Sequence, residues 1–261
     1  MTQDFTLAAR HLPLLVRGTA DDLLNSQDLT LAVDGPLRVA YAPFEHIARD
    51  ARLVVVGITP GRTQAVAAIR AAQTALAGER TMADTLRSAK LTASFSGAMR
   101  SNLVAMLDGI GVARHLGLRS AAELFTPGGE LVHLTSALRY PVFKDGANYN
   151  GTPDMIRTPI LRRMIETHLA EEARMLPDAL WLPLGPKAGQ ALRHLTEMGL
   201  LDSARVLEGL PHPSGANGER VAVFMGRKVP EAASRQTNGP ALVAAARRLT
   251  AQIADLSGAA A

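Results

Sequence analysis

The chain has 261 residues, 47% of them hydrophobic and 20% charged, with a formal net charge of +4. That length and apolar content suit one large α/β domain and exclude global disorder. With no cysteine present, disulfides, thiol nucleophiles, iron–sulfur clusters and cysteine-ligated zinc are excluded. The basic excess, carried largely by arginine, is compatible with a nucleic-acid partner without requiring one. The opening stretch MTQDFTLAARHLPLLVRG carries charges too early for a secretory signal. No uncharged apolar run approaches the ~20 residues of a membrane-spanning helix. A soluble, cytoplasmic protein with no membrane partner is expected.

Residues 3–25 read as one or two helices, a helical extension over about residues 1–30 ahead of the first strand. Leu37-Arg38-Val39-Ala40-Tyr41 is strand-like. Leu53-Val54-Val55-Val56 is a short, wholly apolar run, as a buried parallel strand requires, and it is bounded by Gly57 and Pro60. Helices are expected over Gln64–Leu76, Thr81–Lys90 and Asn102–Ile110, the last ending at Gly111. A strand over Leu131–Thr135 runs into a loop from Arg139 to Pro153. A long helix over Thr158–Leu176 and a strand over Ala179–Leu184 follow. The remainder is a helix over Lys187–Met198, the segment Val206–Leu210 leading to His212, and a closing helix over Ala241–Leu256. Strands alternating with helices predict a three-layer α/β/α fold with a mainly parallel central sheet. The chain is read as a single domain over 1–261, since no linker, repeat or boundary is visible.

Two short segments could carry chemistry. In Val54-Val55-Val56-Gly57-Ile58-Thr59-Pro60-Gly61 a strand enters a tight loop at the carboxyl end of a sheet, where α/β proteins bind ligands. Glycine permits close backbone approach and Pro60 stiffens the turn. The loop lacks the lysine of a phosphate-binding P-loop and the spacing of a dinucleotide fingerprint. In Leu210-Pro211-His212-Pro213-Ser214-Gly215-Ala216-Asn217-Gly218-Glu219-Arg220 a histidine is clamped between prolines ahead of a polar, Gly-rich surface loop. A buried neutral imidazole there can donate a hydrogen bond to an anion developing on a leaving group. Taken singly, each segment is equally an ordinary turn and a loop-stabilising histidine.

Together, and in this order, they resemble motifs A and B of the uracil-DNA glycosylase superfamily. Three segments between them agree: Phe95-Ser96-Gly97 followed by the Asn102–Ile110 helix; Val132–Leu138 followed by Arg139-Tyr140-Pro141; and Leu184-Gly185-Pro186-Lys187-Ala188 with Ala191-Leu192. The resemblance covers roughly residues 37–225. It implies a uracil-DNA-glycosylase-like fold and a monofunctional DNA glycosylase that hydrolyses the N-glycosidic bond of a flipped base, leaving an abasic site. It implies water as nucleophile, no metal or other cofactor, and double- or single-stranded DNA as partner; the chain is expected to be a monomer. His212 and Thr59 would be catalytic. Gly57, Ile58, Phe95 and Ser136 would form the base pocket, with Phe95 stacking on the base or else serving as core. Pro60, Gly61, Ser214, Gly215, Asn217 and Arg220 would hold flanking phosphates or enter the duplex, Arg220 being otherwise a solvated loop residue.

The chain departs from the family in two places, the motif A loop and the base-reading strand. Where members commonly carry Glu, Asp or Asn in motif A, this chain has Ile58 and Thr59, and a threonine hydroxyl is no general base. Gln64 could share the water but reads rather as a helix-surface residue. Ser136 stands where an Asn usually pairs with the uracil edge, and losing that amide should cost specificity. With the long two-helix stretch between Gly61 and Phe95, these departures point to a remodelled pocket for a uracil-like or modified pyrimidine, a bulky modified base rather than plain uracil, in repair or anti-phage defence, with conventional uracil repair as the rival. The contrasting expectation is a catalytically weak nucleic-acid-binding protein that keeps the fold.

Overall fold

The computed structural model describes residues 3–93, 98–126 and 130–258. In chain order the α-helices are α1 (Thr6–His11), α2 (Ala20–Asn25), α3 (Arg62–Ala77), α4 (Met82–Thr92), α5 (Ala98–Gly109), α6 (Val112–His115), α7 (Pro159–Met164), α8 (Ala170–Met175), α9 (Pro186–Glu197), α10 (Gly218–Phe224) and α11 (Gly239–Gly258). The strands are β1 (Thr30–Asp34), β2 (Leu37–Ala40), β3 (Leu53–Gly57), β4 (Val132–Ser136), β5 (Val142–Lys144), β6 (Ala147–Asn148) and β7 (Leu180–Pro183). None of the described helices is long and apolar enough to cross a membrane. The chain forms two compact units, neither of them one continuous stretch. Two of its five passages between them fall within β3 and β4, where no linker composition marks the division.

The first unit takes its described residues from 3–47, 57–93 and 135–175. Its sheet has the order β1-β2-β5-β6 and is antiparallel throughout. Two tight turns build it. Asp34-Gly35-Pro36-Leu37 joins β1 to β2, with Gly35 at φ +54°. Asp145 and Gly146, at φ +50° and +76°, join β5 to β6, the twist that a two-residue hairpin loop needs. β1 and the β5–β6 hairpin, which lies within the stretch 139–153 expected as a loop, carry only the Asp-Gly pairs as a local signal. The Arg38 and Arg62 guanidinium groups lie 5.0 and 4.8 Å from the Phe143 ring centre, covering an aromatic on this sheet. The stretch expected as one helix over 158–176 is α7 and α8 joined by a π-turn at Ile165–Leu169. The His168 carbonyl in that widened turn accepts from Arg139 Nη2 at 2.9 Å.

The second unit holds 48–56, 98–126, 130–134 and 176–258 of the described residues. Its sheet has the order β4-β3-β7. β3 pairs β7 in parallel, Leu53 with Leu180 through Val56 with Pro183, and Trp181 bridges onward to Val206. Leu53 to Val56 are wholly buried, as a continuous run of branched side chains predicts for a strand covered on both faces. Leu103, Met106 and Leu107 of α5 and Leu249 and Ile253 of α11 pack in one apolar cluster with Leu53, Val55 and Leu182. Each such leucine contributes about 1.5–3 kcal/mol by leaving water. The α/β expectation therefore holds. The parallel part is narrower than expected: among the described residues it has three strands, with the other four in the antiparallel sheet. The cause is that short hairpin strands, unlike crossover strands, need no intervening helix.

Candidate functional site

In the first unit, Gly57 closes β3 and the pairing continues past it: Ala137 N–H donates to the Gly57 carbonyl at 2.8 Å and Leu138 N–H to that of Ile58 at 3.0 Å. These bonds bring Ser136 against Gly57, where an added Cβ would meet the Ser136 hydroxyl at 3.5 Å. That hydroxyl has no hydrogen-bond partner among the described residues. Ile58 and Ser136 are half-buried. Thr59 is tied into the frame. Its hydroxyl donates to the Tyr140 carbonyl and accepts from Val142 N–H, both at 3.1 Å. Its single proton is thereby used, leaving one lone pair.

The next turn is similarly engaged. Pro60 is buried. Gly61 N–H donates to Gln64 Oε1 at 3.1 Å, while Gln64 Nε2 donates to the Ala93 carbonyl at 3.2 Å. Gln64 is thus a clasp between α3 and the end of α4 and not a helix-surface residue; its bond to Gly61 has capping-box spacing, while Ala93 is 29 positions away. Arg62 N–H donates to Asn148 Oδ1 at 3.0 Å, and an added Cβ on Gly61 would meet Asn148 Nδ2 at 3.4 Å. The two amides nearest the loop already have side-chain acceptors, so a phosphate reaching them must displace Gln64 or Asn148. Phe95 lies outside the described residues.

In the second unit, Pro211 and Pro213 are buried and His212 is half-buried. Ser214 N–H lies 3.2 Å from His212 Nδ1. An amide can only donate, so Nδ1 is the acceptor and the ring proton sits on Nε2. Burial lowers the pKa of His212 and favours the neutral ring. Asn102 Nδ2 of α5 holds the Pro213 carbonyl at 2.9 Å, a support that sequence alone did not suggest. Ser214 Oγ accepts from Asn217 Nδ2 at 2.9 Å, and Asn217 Oδ1 accepts from Arg220 Nη1 at 3.0 Å. Arg220 Nη2 also reaches the Gln236 carbonyl at 3.2 Å. The Gly-rich stretch expected as a flexible loop is instead a 3-10 turn, Gly215–Asn217, leading into α10. Gly215 and Arg220 remain exposed.

Two clusters escaped the sequence reading. Glu219 accepts from Lys228 Nζ, Ser234 N–H and Oγ, and Thr237 Oγ1, which together hold its pKa at about 2. Lys228 is therefore engaged by a carboxylate. In the first unit, Arg139 is buried against Glu172 at 2.9 Å and Glu171 at 3.0 Å. Burial opposes its charge, but the Glu172 carboxylate and neighbouring acidic groups keep its pKa above the ordinary value. Burial pushes the Glu45 carboxyl upward beside it, and Tyr140 Oη donates to Glu45 Oε1 at 3.1 Å. No group of three or more His, Asp or Glu suited to a metal occurs among the described residues.

Fold and side chains define an α/β protein with a strand-end loop in one unit and a proline-clamped histidine in the other. Over 213 residues the chain is 38% identical to the Bacillus subtilis (strain 168) protein called "Uncharacterized protein YoxB", a match covering 80% of this chain and 83% of that protein. The chain belongs to the YoxB family. No family model matches it, and no solved structure matches it.

Proposed function

We propose that the chain is a monofunctional DNA glycosylase of the uracil-DNA glycosylase type, acting on a modified pyrimidine bulkier than uracil. The observation that carries this reading is the state of His212: Nδ1 occupied by Ser214 N–H, Nε2 bearing the proton, the ring favoured neutral by burial. As the glycosidic bond breaks, its electron pair passes to the base, and an Nε2–H donor stabilises the resulting anion. Water then adds to the sugar carbon and releases a proton. Ser136, with a free hydroxyl beside a glycine, offers the base edge one small polar group where an amide would fill space. On the resemblance, Ile58 would contact the base, and Ser214, Gly215 and Arg220 would meet DNA phosphates.

The test is release of free base from oligonucleotides carrying uracil, hypoxanthine or bulky modified cytosines, in single and double strands. Modified cytosine should be released and His212→Ala should lower the rate by about 10²–10³-fold, the usual worth of one such donor. Ready release of uracil with modified cytosines untouched would sink the substrate. Activity undiminished in His212→Ala would sink the site.

One observation favours a second reading, a nucleic-acid-binding protein with weak or no catalysis. Thr59 Oγ1 spends its proton on the Tyr140 carbonyl and offers an attacking water only a neutral lone pair. Duplex binding without release of any base separates the two.

A further inference from the structure

The second unit contains a pocket of 480 Å³ on whose wall His212 sits beside Arg220 and Arg248. Its volume is in the range of small-molecule sites, about 300–1,000 Å³. Leu242 and Ala245 of α11 line it with apolar surface, and Asn217 contributes an amide. Both arginines are held in place. Arg220 bonds Asn217 Oδ1 and the Gln236 carbonyl, and Arg248 Nη2 donates to the Glu208 carbonyl at 2.9 Å. Each guanidinium has five N–H donors, so most remain for a ligand.

The backbone is shaped to admit Arg248. Gly209 has φ +123°, and an added Cβ there would lie 2.8 Å from Arg248 Nη2. The single carboxylate among the described wall residues, Glu208, is bonded through Oε1 to Arg193 Nη1 and so is already neutralised. With His212 favoured neutral, the pocket presents two unneutralised cations in a part-apolar recess. Arginine in fixed orientation suits the planar, bidentate recognition of phosphate oxygens.

We propose that this pocket binds a phosphate group between Arg220 and Arg248. Arg248 is the new residue. The inference rests on the glycosylase reading only in giving Arg220 a phosphate partner, and it supplies that phosphate with a second arginine and a cavity. The phosphate belongs either to a DNA backbone or to a free phosphate or nucleotide.

Inorganic phosphate is the probe, with thermal melting and calorimetry of the whole chain at constant ionic strength set by chloride. Phosphate should raise the melting temperature where chloride does not. Arg248→Gln and Arg220→Gln should each weaken phosphate binding about tenfold or more, the scale of a lost charge-assisted bond. Both arginines are exposed, so the Arg220 variant keeps the test open should Arg248→Gln, beside the close Gly209 backbone, fail to fold. No phosphate-specific stabilisation, or both variants binding as wild type, overturns the pocket. Displacement of phosphate by undamaged duplex assigns it to the DNA backbone; retention, with competition by a deoxynucleoside 5′-monophosphate, assigns it to a free ligand. Base release without any phosphate effect overturns this inference alone. Phosphate binding without base release overturns the glycosylase reading alone.

Discussion

At the scale of single residues, His212 and Thr59 illustrate how one neighbouring backbone group sets a side chain's chemistry. The Ser214 amide assigns the His212 proton to Nε2, and burial lowers the pKa below the ordinary value near 6.5. A base-releasing step that needs the neutral ring is then fully available at neutral pH and falls as acid protonates it. The acidic limb of the pH–rate profile should therefore lie below 6.5 and disappear in His212→Gln; a limb above 6.5 would contradict the burial argument. Thr59 is bound at both hydrogen-bonding functions, to Tyr140 and Val142. Thr59→Val keeps the shape but leaves that N–H and carbonyl unpaired, and should cost about 1–3 kcal/mol in urea unfolding. Thr59→Ser should restore most of it. If valine is neutral, the hydroxyl is no strut.

At the scale of elements, what surrounds a motif proved harder to read than the motif itself. The Leu53–Val56 strand was evident from its apolar run, and α3, α4, α5, α9 and α11 from their helical pattern. The hairpins β1–β2 and β5–β6 were marked by Asp34-Gly35 and Asp145-Gly146, yet their strands are short and lack clean alternation. The π-turn at Ile165–Leu169 left no trace in the periodicity, because the buried Leu161, Met164, Ile165 and Leu169 stand three or four residues apart or adjacent, as in an ordinary helix. The start of α11 offers a sharp test. An added Cβ on Gly239 would lie 2.6 Å from the Pro230 carbonyl oxygen and 2.7 Å from its Cα, both backbone atoms that cannot swing aside. Gly239→Ala should destabilise the chain by about 1–3 kcal/mol, as overpacking does, with far-UV circular dichroism unchanged at low temperature. A neutral result would mean that the Pro230 segment yields freely.

For the molecule as a whole, each unit has its own interior, and the two interiors differ in kind. That of the second unit is an apolar cluster of β3, β7, α5, α6 and α11 side chains. That of the first includes ions: Arg139 with Glu171 and Glu172, Lys90 with a pKa lowered to about 8 by burial, and Glu45 pushed upward. Removing one member strands another charge away from water. Arg139→Gln should lower stability by about 3–5 kcal/mol, measured by denaturant unfolding. A cost under about 1 kcal/mol would show that water reaches the cluster. Such a network cannot be foreseen from sequence, since Arg139 and Glu172 stand 33 positions apart and no local pattern pairs them.

The amino-acid sequence by itself determined the absence of thiol chemistry, the α/β alternation, the order of the five motif segments and the placing of His212 between two prolines. These are local properties, set by composition, periodicity and the stiffness of proline. Only the tertiary structure decided which atoms are left to react. It bound the Thr59 hydroxyl and the Gly61 amide, left the Ser136 hydroxyl free, set the His212 tautomer, and brought Arg220 and Arg248 to one pocket. The physical reason is that a hydrogen bond removes a group from chemistry, and its partner is as a rule remote in the chain: Thr59 with Tyr140, Arg62 with Asn148, Asn102 with Pro213.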